Sequence, residues 1–138
     1  MNKLKLLSIS IGLIYLWFGA LKLFPNLSPA EGLAGETIEL ITFDIISGDV
    51  ARILLAIIEV LIGIGLIIEF KQKLIVKVAL CHMVCTFIPL FAFPEVSFAQ
   101  APFAFTIVGQ YIMKNLIIIV ALLMLLPTKN GKVQNIGT

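Results

Sequence analysis

Four long stretches of the chain are almost entirely apolar, and short segments between them carry most of the charged residues. A helix needs about 20 largely apolar residues to cross the hydrocarbon core of a bilayer. The pattern therefore predicts four membrane-spanning helices at residues 4–24, 53–70, 74–93 and 103–126. We expect an all-α, polytopic membrane protein in which residues 1–138 form one domain, a bundle of four transmembrane helices.

The segment between the first two spans predicts a short helix that is too charged to cross a membrane. Pro25 ends the first span because its ring cannot continue a helix. Ser28 starts a capping pattern with proline at the first helical position and Glu31 reaching back to the cap. Up to about Thr42, apolar residues fall on one side, which predicts an amphipathic helix at the membrane interface. A plain connecting helix is the alternative. Residues 129–138 are polar and predict a frayed tail.

The distribution of charge predicts how the spans are oriented. Loops rich in lysine and arginine stay on the cytoplasmic side of a membrane. Lysines precede the first span, lie in the loop between the second and third spans and follow the fourth, whereas the other loops are mainly acidic. Both termini should therefore be cytoplasmic, in a multi-pass protein of the cell (inner or plasma) membrane. The N-terminus also resembles a signal peptide, but the apolar run ends at Lys22 without a small-residue cleavage pattern.

Composition excludes two classes of protein. The chain is 60% hydrophobic, well above the roughly 45–50% of ordinary soluble domains. The net charge is only +2, and basic residues do not alternate with aromatic ones, which argues against a nucleic-acid partner. The lipid bilayer is the expected partner. A small hydrophobic ligand, a membrane protein or a second copy of the chain are further candidates.

Two charged residues lie inside the apolar stretches. Glu59 is within the second predicted span and Lys114 within the fourth, and each unpaired charge costs about 2.5–3.5 kcal/mol at the centre of a bilayer. Both spans enter from outside, so the two residues should reach similar depths. We predict that Glu59 contacts Lys114. The pair is either a buried ion pair that fixes helix packing or part of a ligand site.

Helical spacing groups other polar residues with this pair. Tyr15 and Lys22 share one face of the first span with three small residues, and Gln110 lies one turn from Lys114. The predicted polar or ligand-binding cluster consists of Tyr15, Lys22, Glu59, Gln110, Lys114 and Asn115. Secondary candidates are Trp17, Arg52, His82 and Cys85. Packing of the small residues, extension of Lys22 to the interface and anchoring by Arg52 are the structural alternatives.

The third span contains the metal-ligating residue types but not a metal-site pattern. Cys81, His82 and Cys85 provide too few ligands for zinc and lack the usual cysteine spacing, so no metal is expected. A disulfide between Cys81 and Cys85 would be strained on a regular helix. We expect both cysteines to pack as small buried hydrophobic residues, while His82 fits a core position or a site equally well.

Three motifs occur in order and sample nearly the whole chain: Gly19-x-x-Lys22, Glu59-x-x-x-Gly63 and Lys114-Asn115. In this ordered set, the chain resembles the DoxX-like superfamily of small four-helix membrane proteins. The resemblance implies a four-helix membrane bundle with Lys22, Glu59, Lys114 and Asn115 as the family's polar set. Relatives include a subunit of a thiosulfate:quinone oxidoreductase, components of membrane redox complexes and a chaperone for receptor assembly.

Three functional hypotheses follow. The first is a redox-associated membrane subunit with an intramembrane polar site for a quinone or another small molecule. The sequence has no haem, flavin or iron–sulfur motif, so an accessory subunit is favoured over an independent enzyme. The alternative is a non-catalytic assembly or chaperone-like protein whose Glu–Lys cluster is structural. The third, a small transporter or proton relay, has little support because four helices are few and no inverted repeat is evident.

Overall fold

Helices form most of the chain over residues 2–25, 27, 31–46 and 48–127, which the computed structural model describes. The predicted Ser28 cap and the polar tail at 129–138 lie outside the described residues. The helices are α1 (Lys3–Leu21), α2 (Glu31–Ile41), α3 (Gly48–Ile67), α4 (Gln72–Cys85), α5 (Ile88–Ala92), α6 (Pro94–Ser97) and α7 (Ile107–Leu125). Two short strands, β1 (Phe98–Gln100) and β2 (Ala104–Phe105), precede α7.

Four helical segments in the described part of the chain are long and apolar enough to cross a membrane, as predicted: α1, α3, the segment Gln72–Ala92 and α7. Most of their outward-facing side chains are apolar; Leu61 and Ile117, for example, are 60% and 73% exposed. The short helix expected between the first two spans is α2. The third segment is interrupted after Cys85, and α5 follows with Pro89 in its first turn, where a proline is tolerated.

The helix boundaries differ from the predicted ones at the starts of α3 and α7. Helix α3 begins at Gly48 instead of residue 53, with Asp49 in its first turn, where a negative charge favours the helix N-terminus. Helix α7 begins at Ile107 instead of residue 103. Thr106 caps it, because the Thr106 hydroxyl accepts a hydrogen bond of 3.1 Å from the amide of Gly109.

The hairpin before α7 departs from the all-helical expectation. Strands β1 and β2 are antiparallel, with Phe98 opposite Phe105, and the two rings lie 4.9 Å apart. Strands of three and two residues are too short to produce an alternating pattern in the sequence. The end of α6 and the hairpin pack against α7 at Gly109, where a Cβ atom would overlap the carbonyl oxygen of Ser97 and lie 3.0 Å from the Phe105 ring.

The four long helices form a ring in the order α1, α3, α4, α7, with each helix packed against its two neighbours. Helices α1 and α4 therefore lie across one diagonal of the bundle, and α3 and α7 across the other. The main core lies inside this ring and consists of Ile11, Tyr15, Ile62, Leu66, Val76, Ala79, Met83, Leu122 and Leu125. A smaller apolar cluster of Leu33, Leu90 and Ile112 joins α2 to α5 and α7.

Helices α1 and α3 make the closest contact in the bundle, because glycines face each other across it. A Cβ atom on Gly63 would lie 2.7 Å from the amide nitrogen of Leu16, and one on Gly12 would lie 2.8 Å from the carbonyl oxygen of Gly63. Nearby, the Ser8 hydroxyl donates a 2.8 Å hydrogen bond to the carbonyl oxygen of Leu66. The predicted small-residue face of the first span thus packs against α3.

Replacing Gly63 with alanine should destabilise the protein. The added methyl group would meet backbone atoms that cannot move independently of α1, and such overpacking costs about 1–3 kcal/mol. Gly35→Ala in α2 is the matched control, since its Cβ would meet Gly48 only at 3.6 Å or more and alanine favours a helix by up to about 1 kcal/mol. The free energy of unfolding in detergent, followed by circular dichroism, should fall for Gly63→Ala but not for Gly35→Ala. Equal effects would contradict the close contact.

Candidate functional site

A buried cluster of four polar side chains joins α1, α3 and α4. Glu59 is at its centre, as the twelfth of the 20 residues of α3. Its Oε2 atom accepts a 2.7 Å hydrogen bond from Nζ of Lys22, and its Oε1 atom lies 3.3 Å from Nε2 of His82. The carboxylate is therefore held from two sides, by the end of α1 and by the middle of α4.

The fourth member, Tyr15, closes the cluster across the diagonal between α1 and α4. Its hydroxyl lies 3.1 Å from Nδ1 of His82 and 3.1 Å from the carbonyl oxygen of Ala79. Only 2% of Tyr15 is exposed. We call Tyr15, Lys22, Glu59 and His82 the Glu59 cluster.

Two features of the backbone bring Lys22 and Glu59 together. Gly19, one turn before Lys22, leaves room for α3, since a Cβ atom there would lie 2.9 Å from the Cβ atom of Glu59. Lys22 follows the last residue of α1, and Arg52 donates a 2.6 Å hydrogen bond from Nη1 to the Lys22 carbonyl oxygen. A cation at this position is favourable because the C-terminal carbonyl groups of a helix carry partial negative charge. Arg52 therefore holds the Lys22 backbone in position.

Burial of the cluster requires its charges to balance. The side chains of Lys22, Glu59 and His82 are 10%, 8% and 12% exposed. The ammonium and carboxylate groups cancel, so a neutral imidazole gives a cluster with no net charge, which is the least costly state to bury. Among the described residues, every buried side-chain nitrogen and oxygen atom has a hydrogen-bond partner.

The hydrogen bonds of the cluster define where one additional proton would reside. An ionised carboxylate only accepts hydrogen bonds, so the His82 proton shared with Glu59 is on Nε2. In the neutral ring, Nδ1 then accepts a hydrogen bond from the Tyr15 hydroxyl. If His82 gains a proton on Nδ1, that nitrogen becomes a donor, and the Tyr15 hydroxyl turns to donate to Ala79 instead. Both acceptors are already 3.1 Å away, so the change needs only rotation of one O–H bond.

The predicted contact between Glu59 and Lys114 is wrong. Lys114 is exposed on α7, and its Nζ atom lies 5.2 Å from the centre of the Tyr111 ring. The reason is the side of α7 that carries Lys114: α3 and α7 are diagonal in the ring, and Lys114 is on the outward side of α7. The alternative that Lys22 merely extends to the interface is also wrong, because its ammonium group is buried against Glu59.

Among the other predicted site residues, Asn115 makes a contact within the bundle, whereas Gln110 and Trp17 are exposed. Asn115 donates a 3.0 Å hydrogen bond to the Thr86 hydroxyl, which ties α7 to the end of α4, but it does not touch the Glu59 cluster. Gln110 is exposed on α7, and Trp17 is 67% exposed on α1. The structure thus brings together Tyr15, Lys22 and Glu59 from the predicted cluster and adds His82, which was a secondary candidate.

Cys81 and Cys85 are free thiols on the exposed side of α4. The expectation that they are buried hydrophobic residues is wrong, because the side of α4 that faces the core carries Val76, Ala79 and Met83 instead. Cys85 lies outside the Glu59 cluster. No group of three or more potential metal ligands occurs in the described part of the chain.

A cavity of about 290 Å³ lies apart from the Glu59 cluster. It is between the beginning of α1, the turn from α3 to α4 and the end of α7, and its lining includes Lys5, Glu69 and Leu125. Lys5 and Glu69 form a 3.6 Å ion pair there and are substantially exposed. The cavity therefore does not open onto Glu59.

Comparison with protein-family models gives no match, and comparisons with curated proteins and with solved structures give none either.

Removing one partner of the Lys22–Glu59 pair should lower the free energy of unfolding strongly. Removing both partners should lower it much less. Glu59→Leu leaves a buried ammonium group, Lys22→Met leaves a buried carboxylate, and each loss should cost about 3–5 kcal/mol of unfolding free energy. The double variant should recover most of that cost. The measurement is a double-mutant cycle by denaturant titration in detergent.

Lys114→Met is the matched control for this cycle, since it removes a lysine from α7 without touching the cluster. Its effect should simply add to that of Glu59→Leu. A coupling energy between positions 59 and 114, or none between 22 and 59, would contradict the arrangement.

Proposed function

We propose that the chain is a DoxX-like integral membrane protein whose four long helices cross the cell membrane with both termini cytoplasmic. The lengths and apolar surfaces of these helices support insertion, and the lysine-rich segments support the orientation. The resemblance to the superfamily is supported by the contact between Lys22 and Glu59, which come from two of its motifs.

Within that class, we propose a redox-associated accessory subunit whose Glu59 cluster supplies protons to a quinone or a similar small molecule. The observation that carries the proposal is the unbroken series of ionisable groups from Lys22 through Glu59 to His82 and Tyr15. Reduction of a quinone takes two electrons and two protons. A redox partner would supply the electrons, and this cluster would pass one proton at a time.

The residues around Lys22 fit a quinone headgroup, whose carbonyl oxygens accept hydrogen bonds. The ammonium group has three N–H bonds, and the hydrogen bond to Glu59 uses one of them. Leu23 and Phe24, next along the chain, are 48% and 61% exposed and offer apolar contacts for a ring. A proton donated by Lys22 would be replaced along the hydrogen bonds that join Lys22, Glu59 and His82.

The alternative is an assembly protein in which the cluster only locks three helices together. The complete set of hydrogen-bond partners in the cluster favours this alternative. Quinone binding distinguishes the two functions, because a purely structural cluster has no reason to respond to a quinone.

A short-chain quinone should therefore stabilise the purified full-length chain in lipid nanodiscs. A tenfold excess over the Kd corresponds to about 1.4 kcal/mol, or roughly 4–6 °C in Tm for a chain of this size. The variant Lys22→Met/Glu59→Leu should lose this response, while Lys114→Met should keep it. No shift with either ubiquinone or menaquinone analogues, or an unchanged shift in the double variant, would favour the assembly role.

The orientation has a separate test in living cells. Green fluorescent protein fused after Thr138 should fluoresce, because it folds in the cytoplasm. Alkaline phosphatase fused after Ile46, between α2 and α3, should be active, because that segment is proposed to be outside. The reverse pattern of the two reporters would invert the proposed orientation.

A further inference from the structure

One side of α7 presents two polar residues and one apolar residue to the surroundings of the bundle. Gln110, Lys114 and Ile117 follow one another at helical spacing, and all three are exposed. At the level of Gln110 and Lys114, the opposite side of α7 carries the buried residue Ile112. We call Gln110, Lys114 and Ile117 the α7 outer face.

Lys114 has no anionic partner within the described part of the chain. Its Nζ atom contacts only the Tyr111 ring, at 5.2 Å from the ring centre. Lys114 is the eighth of 19 helical residues, which places it about 10 Å along the helix from its start. An exposed ammonium group at that depth is poorly accommodated by lipid chains, whereas a cation–π contact compensates only in part.

We propose that the α7 outer face binds a membrane-spanning helix of another protein, and that this helix places an aspartate or glutamate against Lys114. Charge complementarity selects this occupant, because a carboxylate would pair with the ammonium group and Gln110 would add hydrogen bonds one turn away. Exposed Ile117 extends the same contact with an apolar side chain. In membranes, helix association relies on such interhelical polar contacts together with close packing.

A second copy of this chain does not supply the required carboxylate. Within the four long helices, the acidic residues are Asp49 and Glu59. The side chain of Asp49 is 91% exposed, but Asp49 is the second residue of α3 and Lys114 the eighth of α7, so their distances from the helix starts differ by about 9 Å. Glu59 is buried between Lys22 and His82. Two copies joined through the same face would instead bring two Lys114 side chains together. The partner is thus a different chain, and this inference does not depend on whether a quinone binds at the Glu59 cluster.

Synthetic helices test this chemistry directly. The probe is a biotinylated 19-residue peptide of leucine and alanine with one central glutamate, which lies within about 3 Å of the depth of Lys114 in either insertion direction. The comparison peptide has alanine at the centre. The full-length chain carries a photo-crosslinking residue at Ile117 and is reconstituted with either peptide in phosphatidylcholine vesicles. The glutamate peptide should crosslink about fivefold more than the alanine peptide.

Matched variants assign the effect to charge pairing. Lys114→Met should remove the difference between the peptides, and Lys114→Glu should instead favour a peptide with a central lysine. A crosslinker at Leu61, which is exposed on diagonal α3, should give equal yields with every peptide. Because Lys114 is exposed, circular dichroism should show that these variants remain folded.

Two results would overturn the proposal. Equal crosslinking of the glutamate and alanine peptides at Ile117 would mean that Lys114 only extends toward the lipid headgroups. Crosslinks from Ile117 to a second copy of the chain, unaffected by either peptide, would mean that the α7 outer face is a contact between copies.

Discussion

Neutralisation of the Glu59 carboxylate is the constraint on which the arrangement of this bundle depends. A charged group in the middle of an apolar helix can be buried only if opposite charge and hydrogen-bond donors reach it. Lys22 supplies the charge and His82 supplies a second donor, at 2.7 and 3.3 Å. Each comes from a different neighbour of α3, so satisfying one carboxylate fixes two helix contacts at once. The glycines of α1 make this geometry accessible, because Gly19 lets the Glu59 backbone approach closely.

The hydrophobic pattern was sufficient to predict the four long helices and the short helix between the first two. It also predicted the small-residue face of α1 and the position of Tyr15 and Lys22 on that face, since both follow from helical spacing. The pattern could not reveal the hairpin at 98–105, whose strands are too short for an alternating signal. It also placed the start of α7 too early, although threonine is among the favoured N-cap residues and Thr106 precedes the apolar run.

The partner of Glu59 was misassigned because depth alone was used to choose it. Consecutive helices in an up-and-down bundle are antiparallel neighbours, and helices that run in the same direction face each other across a diagonal. Equal depth on parallel helices therefore does not by itself imply contact in a ring of four. The Tyr15 hydroxyl reaches His82 across one diagonal because it points into the core, whereas Lys114 is on the outward side of α7. The pairing of Lys22 with Glu59 depends on where α1 ends and on the hydrogen bond from Arg52 to the Lys22 carbonyl oxygen. Composition and spacing determine neither of these features.

The Glu59 cluster draws all four of its side chains from the first 82 residues, and α7 is attached to it only indirectly, through core packing and the hydrogen bond between Asn115 and Thr86. During synthesis, the costly charges can thus be neutralised before the last helix leaves the ribosome. The first three long helices then already contain a matched electrostatic interior. The fourth long helix can therefore pack against the first three at a later time, before or after another chain binds, without leaving a buried charge unpaired.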